Sequence, residues 1–517
     1  MPYPSTFLPL NIPDDLNLWT LLLGDRRRDF PETKEILTCA ETGRSYNWAD
    51  IRNDSIAFGQ GLREQWGWKK GDVLAFYTPN SIDVNTHPHA RRPLGRRHRL
   101  ARQPLYTIDE LAFQLRNSNA KALVTQPAQL PTALSAAKRA GLPTTASFSS
   151  AKTLPQPTPH PAFHHPPHLH FPTTPFESPT PSPQTSLAFL VYSSGTTGLP
   201  KGVCLTHHNM VSNILQASYV EGSQWRSRGG ADGLGDKQLG VLPFFHIYGL
   251  TCGVLLSIYE GWQLVVMARF EMGKVLRTIE KYRITFAYVP PPVVLAFSKH
   301  PEVDGCDLSS LKVLHSGAAP LTRELTEAVW RRLKVPVKQG FGLSETSAVS
   351  GELWLKGPNV FPGYFNNPER TKEAFSSDGF FKTGDVFRRD KHGNFYCVDR
   401  LKELIKYNGY PVPPAELEGV LIGHREVADA CVIGVEDRAN ATEVPRAYVV
   451  LREGVKASEA KAQELIDWVA THVAPHKKLR GGIKFVDQVP KSPSGKVLRR
   501  VMREQAKKEE RTAGAKL

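Results

Sequence analysis

The sequence predicts an α/β fold divided between at least two domains, and three features of the chain indicate this. From residue 187 onward, short apolar runs alternate with amphipathic stretches, which is typical of β-α units built on a largely parallel sheet. The chain has 517 residues, too many for one compact core. Near Asp399 the alternation changes to a smaller α+β pattern, so we place the two domains at 1–398 and 399–517.

The positions of the apolar runs predict the individual elements. The runs expected to form strands in the first domain are 187–191, 240–242, 284–289, 311–314 and 335–338, with a helix at 323–333. In the second domain we expect strands at 430–435 and 447–451 and an amphipathic helix at 460–473. Ligands gather at the carboxyl ends of parallel strands, so the loops that follow these strands should converge on one crevice.

The composition narrows the possible functions. The formal net charge of +15 could indicate a nucleic-acid partner, but six arginines cluster between residues 91 and 102 and account for much of the excess. We therefore expect no nucleic acid, and we assign the remaining charge to a solvated surface and an anion-binding cleft. The six cysteines are scattered without a C-x-x-C pair, which argues against disulfides and zinc. The most apolar stretch, 239–270, is broken by polar residues, so no transmembrane segment is expected.

The segment 192–202, with the sequence YSSGTTGLPKG, has the composition of a phosphate-binding loop. Its glycines let backbone N–H groups approach a ligand closely, its hydroxyl groups add donors, and its lysine adds a cation. The candidate phosphate ligands are Ser193, Ser194, Gly195, Thr196, Thr197, Gly198 and Lys201. The spacing is not that of a Walker loop, and a polar surface turn is the structural alternative.

Six later segments follow this loop in order. They are LPFFHIYG at 242–249, SGAAP at 316–320, QGFGLSET at 339–346, TGD at 383–385, DRLKELIK at 399–406 and PKSPSGK at 490–496. Together with the loop they resemble the ordered motifs of the acyl-adenylate-forming superfamily, and most of all its 4-coumarate–CoA ligase and luciferase branch. The resemblance covers 186–517 and, less fully, 15–85. It implies a large N-terminal domain of parallel-rich sheets with helices and a small β-barrel, followed by a smaller, mobile α+β cap domain.

The resemblance implies an acid–CoA ligase that uses ATP and Mg²⁺ to convert an aryl, arylalkenoic or medium-chain acid to acyl-AMP, and then transfers the acyl group to CoA. Lys496 is implied to act in the first step and Lys406 in the second, with Glu345 holding Mg²⁺. The further residues implied to bind ATP or AMP are Gly317, Ala318, Gln339, Gly340, Phe341, Gly342, Ser344, Asp385, Arg400 and Lys402.

The resemblance also implies the remaining parts of the site. CoA would contact Arg269, Asn408 and Gly409, where Asn408 replaces the lysine usual in the family. The acyl pocket would include His246, Tyr248 and Gly340, with His246 also a catalytic gate, and the cap domain would pivot about Asp399 and Lys402.

Each of these assignments has a structural alternative. Lys496 could be one more cation of a basic tail that includes Arg499, Arg500 and Arg503, and His246 could be an ordinary core histidine. Asp385 could be a turn residue, and 399–400 an exposed ion pair.

Two stretches depart from the family pattern. Between Ser350 and Gly351 the family carries a segment that includes barrel strands and pocket wall, which leaves the barrel incomplete here. Residues 85–104 replace an apolar strand and helix with arginines, histidines and prolines, as a reading-frame slip would. We therefore expect an altered form of the gene product. Two functions stay open beside the CoA ligase: an enzyme that loads a carrier-protein thiol, and a non-catalytic remnant.

Two further segments carry expectations of another kind. Residues 143–185 are rich in proline and histidine and are expected to be a low-complexity insertion without a core. The terminal tripeptide Ala515-Lys516-Leu517 fits a relaxed form of the S-K-L address, so we expect binding by the peroxisomal import receptor, with the cytoplasm as the alternative location.

Overall fold

A computed structural model describes most of the chain, with gaps. The described residues are 10–24, 28–69, 71–83, 98–102, 107–142, 147–149, 182–193, 200–222, 225–226, 229–319, 321, 323–341, 351–389, 395–408, 410–437, 440, 442–492 and 495–514. The strands are β1 (Glu35–Cys39), β2 (Ser45–Asn47), β3 (Val73–Tyr77), β4 (His98–Arg102), β5 (Ala120–Thr125), β6 (Ser147–Ser149), β7 (Leu187–Ser193), β8 (Lys201–Thr206), β9 (Lys237–Gly240), β10 (Gln263–Val266), β11 (Phe286–Val289), β12 (Val313–Ser316), β13 (Val337–Gln339), β14 (Gly351–Leu355), β15 (Gly363–Tyr364), β16 (Phe381–Arg389), β17 (Phe395–Arg400), β18 (Ile405–Tyr407), β19 (Tyr410–Val412), β20 (Val427–Asp437), β21 (Thr442–Leu451) and β22 (Ile483–Phe485). The helices are α1 (Leu18–Leu23), α2 (Trp48–Trp66), α3 (Ile108–Asn117), α4 (Leu130–Ala140), α5 (His207–Glu221), α6 (Leu256–Glu260), α7 (Met272–Tyr282), α8 (Pro291–Lys299), α9 (Arg323–Leu333), α10 (Pro368–Ala374), α11 (Pro414–Gly423), α12 (Glu459–His472) and α13 (Arg499–Gly514), and a π-helix, Gly249–Leu255, runs into α6.

Two seven-stranded sheets organise the N-terminal part of the described chain. The first has the order β13-β12-β11-β9-β10-β1-β2, and every pair is parallel except β1 with β2. The second has the order β15-β8-β7-β4-β3-β5-β6, with parallel pairing from β7 to β6. The predicted α/β class with a parallel-rich sheet is confirmed.

The two sheets share one hydrophobic core. Its buried residues include Phe189 of β7 and Leu264 of β10, together with Trp48 and Trp262, which are both fully buried. Strands such as β10 are buried on both faces, which suits parallel strands covered by helices. A second core on the far side of the first sheet joins it to α7, α8 and α9.

The C-terminal part of the chain has its own core. Strands β20, β21 and β22 form a three-stranded sheet, β18 and β19 form a hairpin, and α11 and α12 pack on them through residues such as Leu417 and Leu465. Before this unit, β14, β16 and β17 form an antiparallel three-stranded sheet in the region where a small barrel was expected.

Several predicted elements differ from the structure in detail. The predicted strand at 240–242 lies at Lys237–Gly240, while the predicted helix at 323–333 is found with the same bounds. The altered stretch 85–104 was expected to lose its strand, yet His98–Arg102 pairs with both β3 and β7 inside the second sheet. The backbone N–H and C=O groups of this segment find partners on neighbouring strands on both sides, which the local side-chain pattern does not reveal. The predicted insertion 143–185 likewise contributes the edge strand β6.

No helix among the described residues combines the length and apolar character that a membrane crossing requires.

Candidate active site

A cavity of about 720 Å³ lies between the N-terminal sheets and the C-terminal unit. Its wall combines loops that follow strands of the first sheet with side chains from the beginning and end of the C-terminal unit. The residues that matter below are Ser316, Ala318, Gln339, Gly340, Phe341, Asp385, Arg400, Glu403, Glu418, Gly495, Lys496 and Arg499. The volume lies in the range of small-molecule and cofactor sites.

The loops after β11, β12 and β13 are tied together at the cavity. The Gly317 N–H donates to the Val289 carbonyl at 3.2 Å, and the Gly340 N–H donates to the Ser316 carbonyl at 2.8 Å. A Cβ at residue 317 would stand 3.1 Å from both the Gly340 carbonyl oxygen and the Tyr248 ring, which is tighter than most Cβ contacts, so glycine suits this close approach. Ala318 follows with φ of +73°. Gly317, Ala318 and Gly340, which were predicted to bind ATP or AMP, are therefore neighbours in space.

Asp385 and Arg400 form a cross-strand pair between β16 and β17. Asp385 Oδ1 accepts from Arg400 Nε at 3.0 Å, and the aspartate is 3% exposed. Burial raises the pKa of Asp385, against the opposing effects of Arg400 and Lys496. Its Oδ2 is buried and has no hydrogen-bond partner among the described residues. Asp385 is therefore a strand residue with a spare acceptor at the cavity, rather than a turn residue.

Lys496 reaches the cavity from a tight turn of the C-terminal unit. The Gly495 N–H donates to the Ser492 carbonyl at 2.8 Å, and the Lys496 N–H donates to Ser492 Oγ at 3.1 Å. Gly495 has φ of +81°, and a Cβ there would stand 2.9 Å from Cβ of Pro290, just before α8. The turn is thus seated directly on the N-terminal unit.

The electrostatic surroundings of Lys496 link it to the rest of the site. Burial lowers its pKa to about 8, and Arg400 contributes in the same direction, while Glu403 and Asp385 oppose the shift. Burial, with a smaller contribution from Lys496, lowers the pKa of His246 to about 4. His246 is therefore neutral near pH 7, and its Nδ1 accepts from the Tyr248 N–H at 3.3 Å. Tyr248 donates its hydroxyl to the His315 carbonyl at 3.0 Å.

A buried ion-pair cluster lies behind Lys496, and sequence reasoning missed it. Arg499 donates to both carboxylate oxygens of Glu418, at 3.1 and 2.6 Å, and also bonds Glu403. Arg499 is 8% exposed, which contradicts its assignment to an exposed basic tail. Burial raises the pKa of Glu418, although Arg499 acts against the shift. The cluster connects α13, which begins three residues after Lys496, to the segment that follows Arg400.

Asp399 is also buried, so 399–400 is not an exposed ion pair. Its Oδ1 accepts from the Arg400 N–H at 2.7 Å and its Oδ2 from the Ala415 N–H at 3.1 Å, at the start of α11. Burial raises the pKa of Asp399. The predicted pivot residue therefore joins the last strand of the N-terminal unit to the first helix of the C-terminal unit.

The other residues assigned to the second step lie on exposed backbone outside the lining of this cavity. Lys406 is exposed on β18, and its N–H donates to Glu443 at 2.9 Å. Asn408 has φ of +46°, and its N–H donates to Thr442 Oγ1 at 2.7 Å. Arg269 is exposed as well, and so is Lys402, which was assigned to nucleotide binding and the pivot. The assignments of these residues stay predictions.

The predicted phosphate loop is the connection between β7 and β8. Ser193 and Lys201 are directly opposite each other where these antiparallel strands end, and Lys201 Nζ lies 5.1 Å from the centre of the Tyr364 ring. Several predicted site residues lie outside the described part of the chain, namely Ser194, Gly195, Thr196, Thr197, Gly198, Gly342, Ser344, Glu345, Gly409 and the terminal tripeptide.

The carboxylates described at the cavity do not by themselves form a magnesium site. Five of them are paired with cations: Asp385 with Arg400, Glu403 and Glu418 with Arg499, Glu327 with Arg323, and Asp429 with Lys491 at 2.5 Å. The sixth, Asp399, accepts from two backbone N–H groups. Among the described residues, no three His, Cys, Asp or Glu side chains that line the cavity bring their ligand atoms together. The predicted ligand Glu345 lies outside the described residues, so the assignment of Mg²⁺ depends on that residue.

Comparison with family models identifies both parts of the chain. Residues 25–350 match the model described as AMP-binding enzyme, and residues 416–496 match the model described as AMP-binding enzyme C-terminal domain.

Curated relatives and solved structures agree with the family match. The chain is 32% identical to a 4-coumarate–CoA ligase of Arabidopsis thaliana over 96% of this chain and 94% of that protein. It is 40% identical to a probable 4-coumarate–CoA ligase of Dictyostelium discoideum over 62% of this chain, and it spans just under two thirds, 64%, of that relative's length. Its fold is similar to that of an anthranilate CoA ligase solved with anthranoyl-AMP, with a TM-score of 0.83 and 22% identity over 96% of this chain and 98% of that one.

Proposed function

The chain belongs to the AMP-binding enzyme family, and on that premise we propose that it is an ATP-dependent acid–CoA ligase. Curated relatives named 4-coumarate–CoA ligases support this activity, and the acid is proposed to be an aryl, arylalkenoic or medium-chain carboxylic acid.

One observation carries the proposal. Lys496 of the C-terminal unit lines the same cavity as the Asp385–Arg400 pair and the loops at 316–319 and 339–341 of the N-terminal unit. A cation brought from a distant part of the sequence into a nucleotide-sized cavity fits a reaction in which negative charge builds up on phosphate. A surface lysine of a basic tail would have no such surroundings.

The proposed first step joins the acid to AMP. A carboxylate oxygen attacks the α-phosphorus of ATP, the bond from that phosphorus to the bridging oxygen breaks, and pyrophosphate leaves. The ammonium of Lys496 stabilises the charge that develops on the oxygens around the α-phosphorus. Asp385 Oδ2, which has no partner among the described residues, accepts from a ribose hydroxyl, and Phe341 packs against adenine. His246, neutral near pH 7, borders the acid.

The second step transfers the acyl group to sulfur. The CoA thiol loses its proton, the thiolate attacks the acyl carbonyl, and AMP leaves. We propose that the C-terminal unit pivots about Asp399–Lys402 between the steps, so that the strand with Lys406 replaces the turn with Lys496.

Mg²⁺ on Glu345 would neutralise phosphate charge in the first step.

An exchange assay tests the function. Purified chain is incubated with ATP, labelled pyrophosphate and one acid at a time from a panel of aryl, arylalkenoic and medium-chain acids, and CoA thioester is measured in parallel. We expect acid-dependent label in ATP and thioester with the same acid.

The other outcomes identify the rival functions. Exchange without CoA turnover would indicate a carrier-protein thiol as the acceptor. No exchange with any acid would contradict an active ligase and favour a non-catalytic remnant, which the missing segment between Ser350 and Gly351 would then explain. A version with a relative's segment restored at that junction would show whether its absence is the cause.

We also propose that the chain is carried into peroxisomes by its terminal tripeptide, Ala515-Lys516-Leu517. A fluorescent protein fused in front of the intact carboxyl terminus should be peroxisomal, and removal of the tripeptide should release it to the cytoplasm. An unchanged distribution after removal would contradict the proposal.

A further inference from the structure

Helix α8 touches the C-terminal unit at both of its ends. Just before its first turn, Pro290 lies against the Gly495 turn. A Cβ added at residue 495 would stand 2.9 Å from Cβ of Pro290. At its last residue, Lys299 reaches the end of α11. The helix is nine residues long, which corresponds to about 13 Å at 1.5 Å per residue. Two contacts this far apart fix an orientation as well as a distance.

Lys299 makes a specific contact rather than a general electrostatic one. Its Nζ donates to the Ile422 carbonyl at 2.9 Å and to the Val427 carbonyl at 2.9 Å. Ile422 is in the last turn of α11, where backbone carbonyls have no partner inside the helix and the helix dipole is negative. Val427 begins β20. One ammonium therefore joins the helix end and the strand start of the C-terminal unit to the N-terminal unit.

The contact desolvates the lysine. Burial lowers the pKa of Lys299 to about 8, Arg452 adds to the effect, and Asp429 opposes it. Removing an ammonium from water is unfavourable unless hydrogen bonds replace the lost ones, as the two carbonyls do here. The contact is therefore unlike a surface ion pair, which contributes little to stability.

We propose that Lys299 is a positioning residue for acid activation, which locks the C-terminal unit on α8 so that Lys496 enters the cavity. The role rests on the proposed function, because it is the first of the two steps that needs this arrangement. Lys299 is at the opposite end of α8 from the Gly495 turn and does not line the cavity. It therefore acts through the orientation of the C-terminal unit.

The test compares Lys299→Met with Lys299→Arg. Methionine keeps the unbranched chain and helix propensity but removes the donors, whereas arginine keeps a cation. In Lys299→Met we expect acid-dependent pyrophosphate exchange to fall about tenfold, since hydrogen bonds from a charged group are lost. Thioester formation from supplied acyl-AMP should be unchanged. Lys299→Arg should recover most of the exchange.

Hydrogen–deuterium exchange supplies a second readout that needs no substrate. In Lys299→Met the amides of 420–428 should exchange faster than in the wild type, while the thermal midpoint stays the same. Lys274→Met is the matched control, because Lys274 is exposed on the neighbouring helix α7 and pairs with Glu271 of its own unit at 2.6 Å. It should change neither readout.

Three results would overturn the proposal: normal pyrophosphate exchange in Lys299→Met, equal loss of both steps, or unchanged amide exchange at 420–428. Should Lys299→Met fail to fold, Lys299→Gln must show the same pattern. If the wild type activates no acid, the proposed function fails, and the amide exchange alone decides whether Lys299 holds the two units together.

Discussion

Lys496 differs from the exposed basic residues near the end of the chain, such as Arg500, in how little water surrounds it. Burial lowers its pKa to about 8, while Arg500, four residues later, is exposed and forms an i,i+4 pair with Glu504. A desolvated ammonium interacts strongly with a phosphate because little water screens the charge. Its environment, rather than its charge, therefore marks Lys496 as the functional cation.

Replacing Lys496 with alanine should separate the two steps. We expect acid-dependent pyrophosphate exchange to fall by about 10²–10³, the range found when one donor to a developing anion is removed. Thioester formation from supplied acyl-AMP should persist, because the pivoted arrangement does not use this residue. The control is Arg500→Ala, which removes an exposed cation from the same tail. An equal loss of both steps in Lys496→Ala would contradict the pivot.

The rate of acid activation should fall at high pH. The pKa of Lys496 is lowered from 10.5 to about 8. Its side chain is therefore fully protonated at lower pH and loses its positive charge as the pH rises through 8. The profile of kcat/KM reports groups of the free enzyme, so we expect a decline above about pH 8. Lys496→Arg should be slower at its optimum, yet without that decline, because guanidinium keeps its proton.

The pKa of Lys299 is also lowered to about 8, so this second lysine must be separated from the first. Lys299→Met should keep the high-pH decline of the wild type. If the decline disappears in Lys299→Met and persists in Lys496→Arg, the titrating group has been assigned to the wrong lysine.

At the scale of elements, the turn that presents Lys496 depends on one glycine for two separate reasons. Gly495 has φ of +81°, which side chains rarely adopt, and its Cα faces Pro290 and Pro292 of the other unit. A side chain at residue 495 would strain the backbone of the turn itself. It would also collide with Pro290 and so disturb the docking of the two units. Substitution can tell these apart.

Gly495→Ala should lower acid activation more than it lowers stability. Its matched control is Gly482→Ala, since Gly482 has φ of +78° but no atom within 4 Å of a Cβ placed there. Both variants should lose about 1 kcal/mol of stability from the left-handed conformation. Only Gly495→Ala should also lose pyrophosphate exchange, by tenfold or more. Equal exchange in the two variants would show that the turn does not need its seat on Pro290.

The sequence predicted elements best where their pattern is local. Helix Arg323–Leu333 has the predicted bounds because its apolar period is visible in the chain alone. The strand predicted at 240–242 is shifted because Lys237 and Gln238 belong to a buried strand despite their polar side chains, with Gln238 bonding the Cys252 carbonyl. His98–Arg102 forms a strand because neighbouring strands supply hydrogen bonds on both sides, which no local pattern reveals.

The candidate site was predictable where a motif names its residues and not where distant segments meet. Asp385 and Arg400 could be expected from their motifs, and they form a pair. Nothing in the local sequence distinguishes Arg499 from Arg500, yet one is buried between two glutamates and the other is exposed. Lys299 resembles any lysine at a helix end, and only the packing of the two units shows its contact with Ile422 and Val427.

For the whole molecule, the two units differ in the groups that respond to acid. Burial lowers the pKa of His207 and His246 to about 4, and of His315 to about 4 with a contribution from Lys338; all three precede residue 399. In the C-terminal unit burial raises the pKa of Asp399 and Glu418 and lowers that of His424. A hydrogen bond from Lys461 lowers the pKa of Glu426 and, against the effect of burial, hydrogen bonds from Lys484 and Gln505 lower that of Glu509, so the effects in this unit partly offset one another. Acidification should therefore weaken the N-terminal unit first.

The sign of this effect follows from proton binding. Unfolded histidine takes a proton near pH 6.5, whereas the three buried histidines do so near pH 4, so the unfolded state binds more protons between these values. Stability should thus fall as the pH drops from 6.5 toward 4, by at most about 1.4 kcal/mol per pH unit for each histidine. A raised carboxyl pKa has the reverse effect on stability. The folded C-terminal unit then binds these protons at a higher pH than its unfolded form, so stability rises as the pH falls.

Tryptophan fluorescence can follow the N-terminal unit alone. Trp468 is the one tryptophan in the sequence after residue 399, so in Trp468→Phe all remaining tryptophans report the N-terminal part. We expect the thermal midpoint measured by fluorescence in Trp468→Phe to fall by a few degrees between pH 6.5 and 5. Circular dichroism should show helical signal that persists above this midpoint, because the C-terminal unit is still folded. Adding His315→Gln should flatten the pH dependence, because this buried histidine then no longer distinguishes the folded from the unfolded state. A midpoint that does not move with pH, or a slope that His315→Gln leaves unchanged, would show that the buried histidines do not control the acid response.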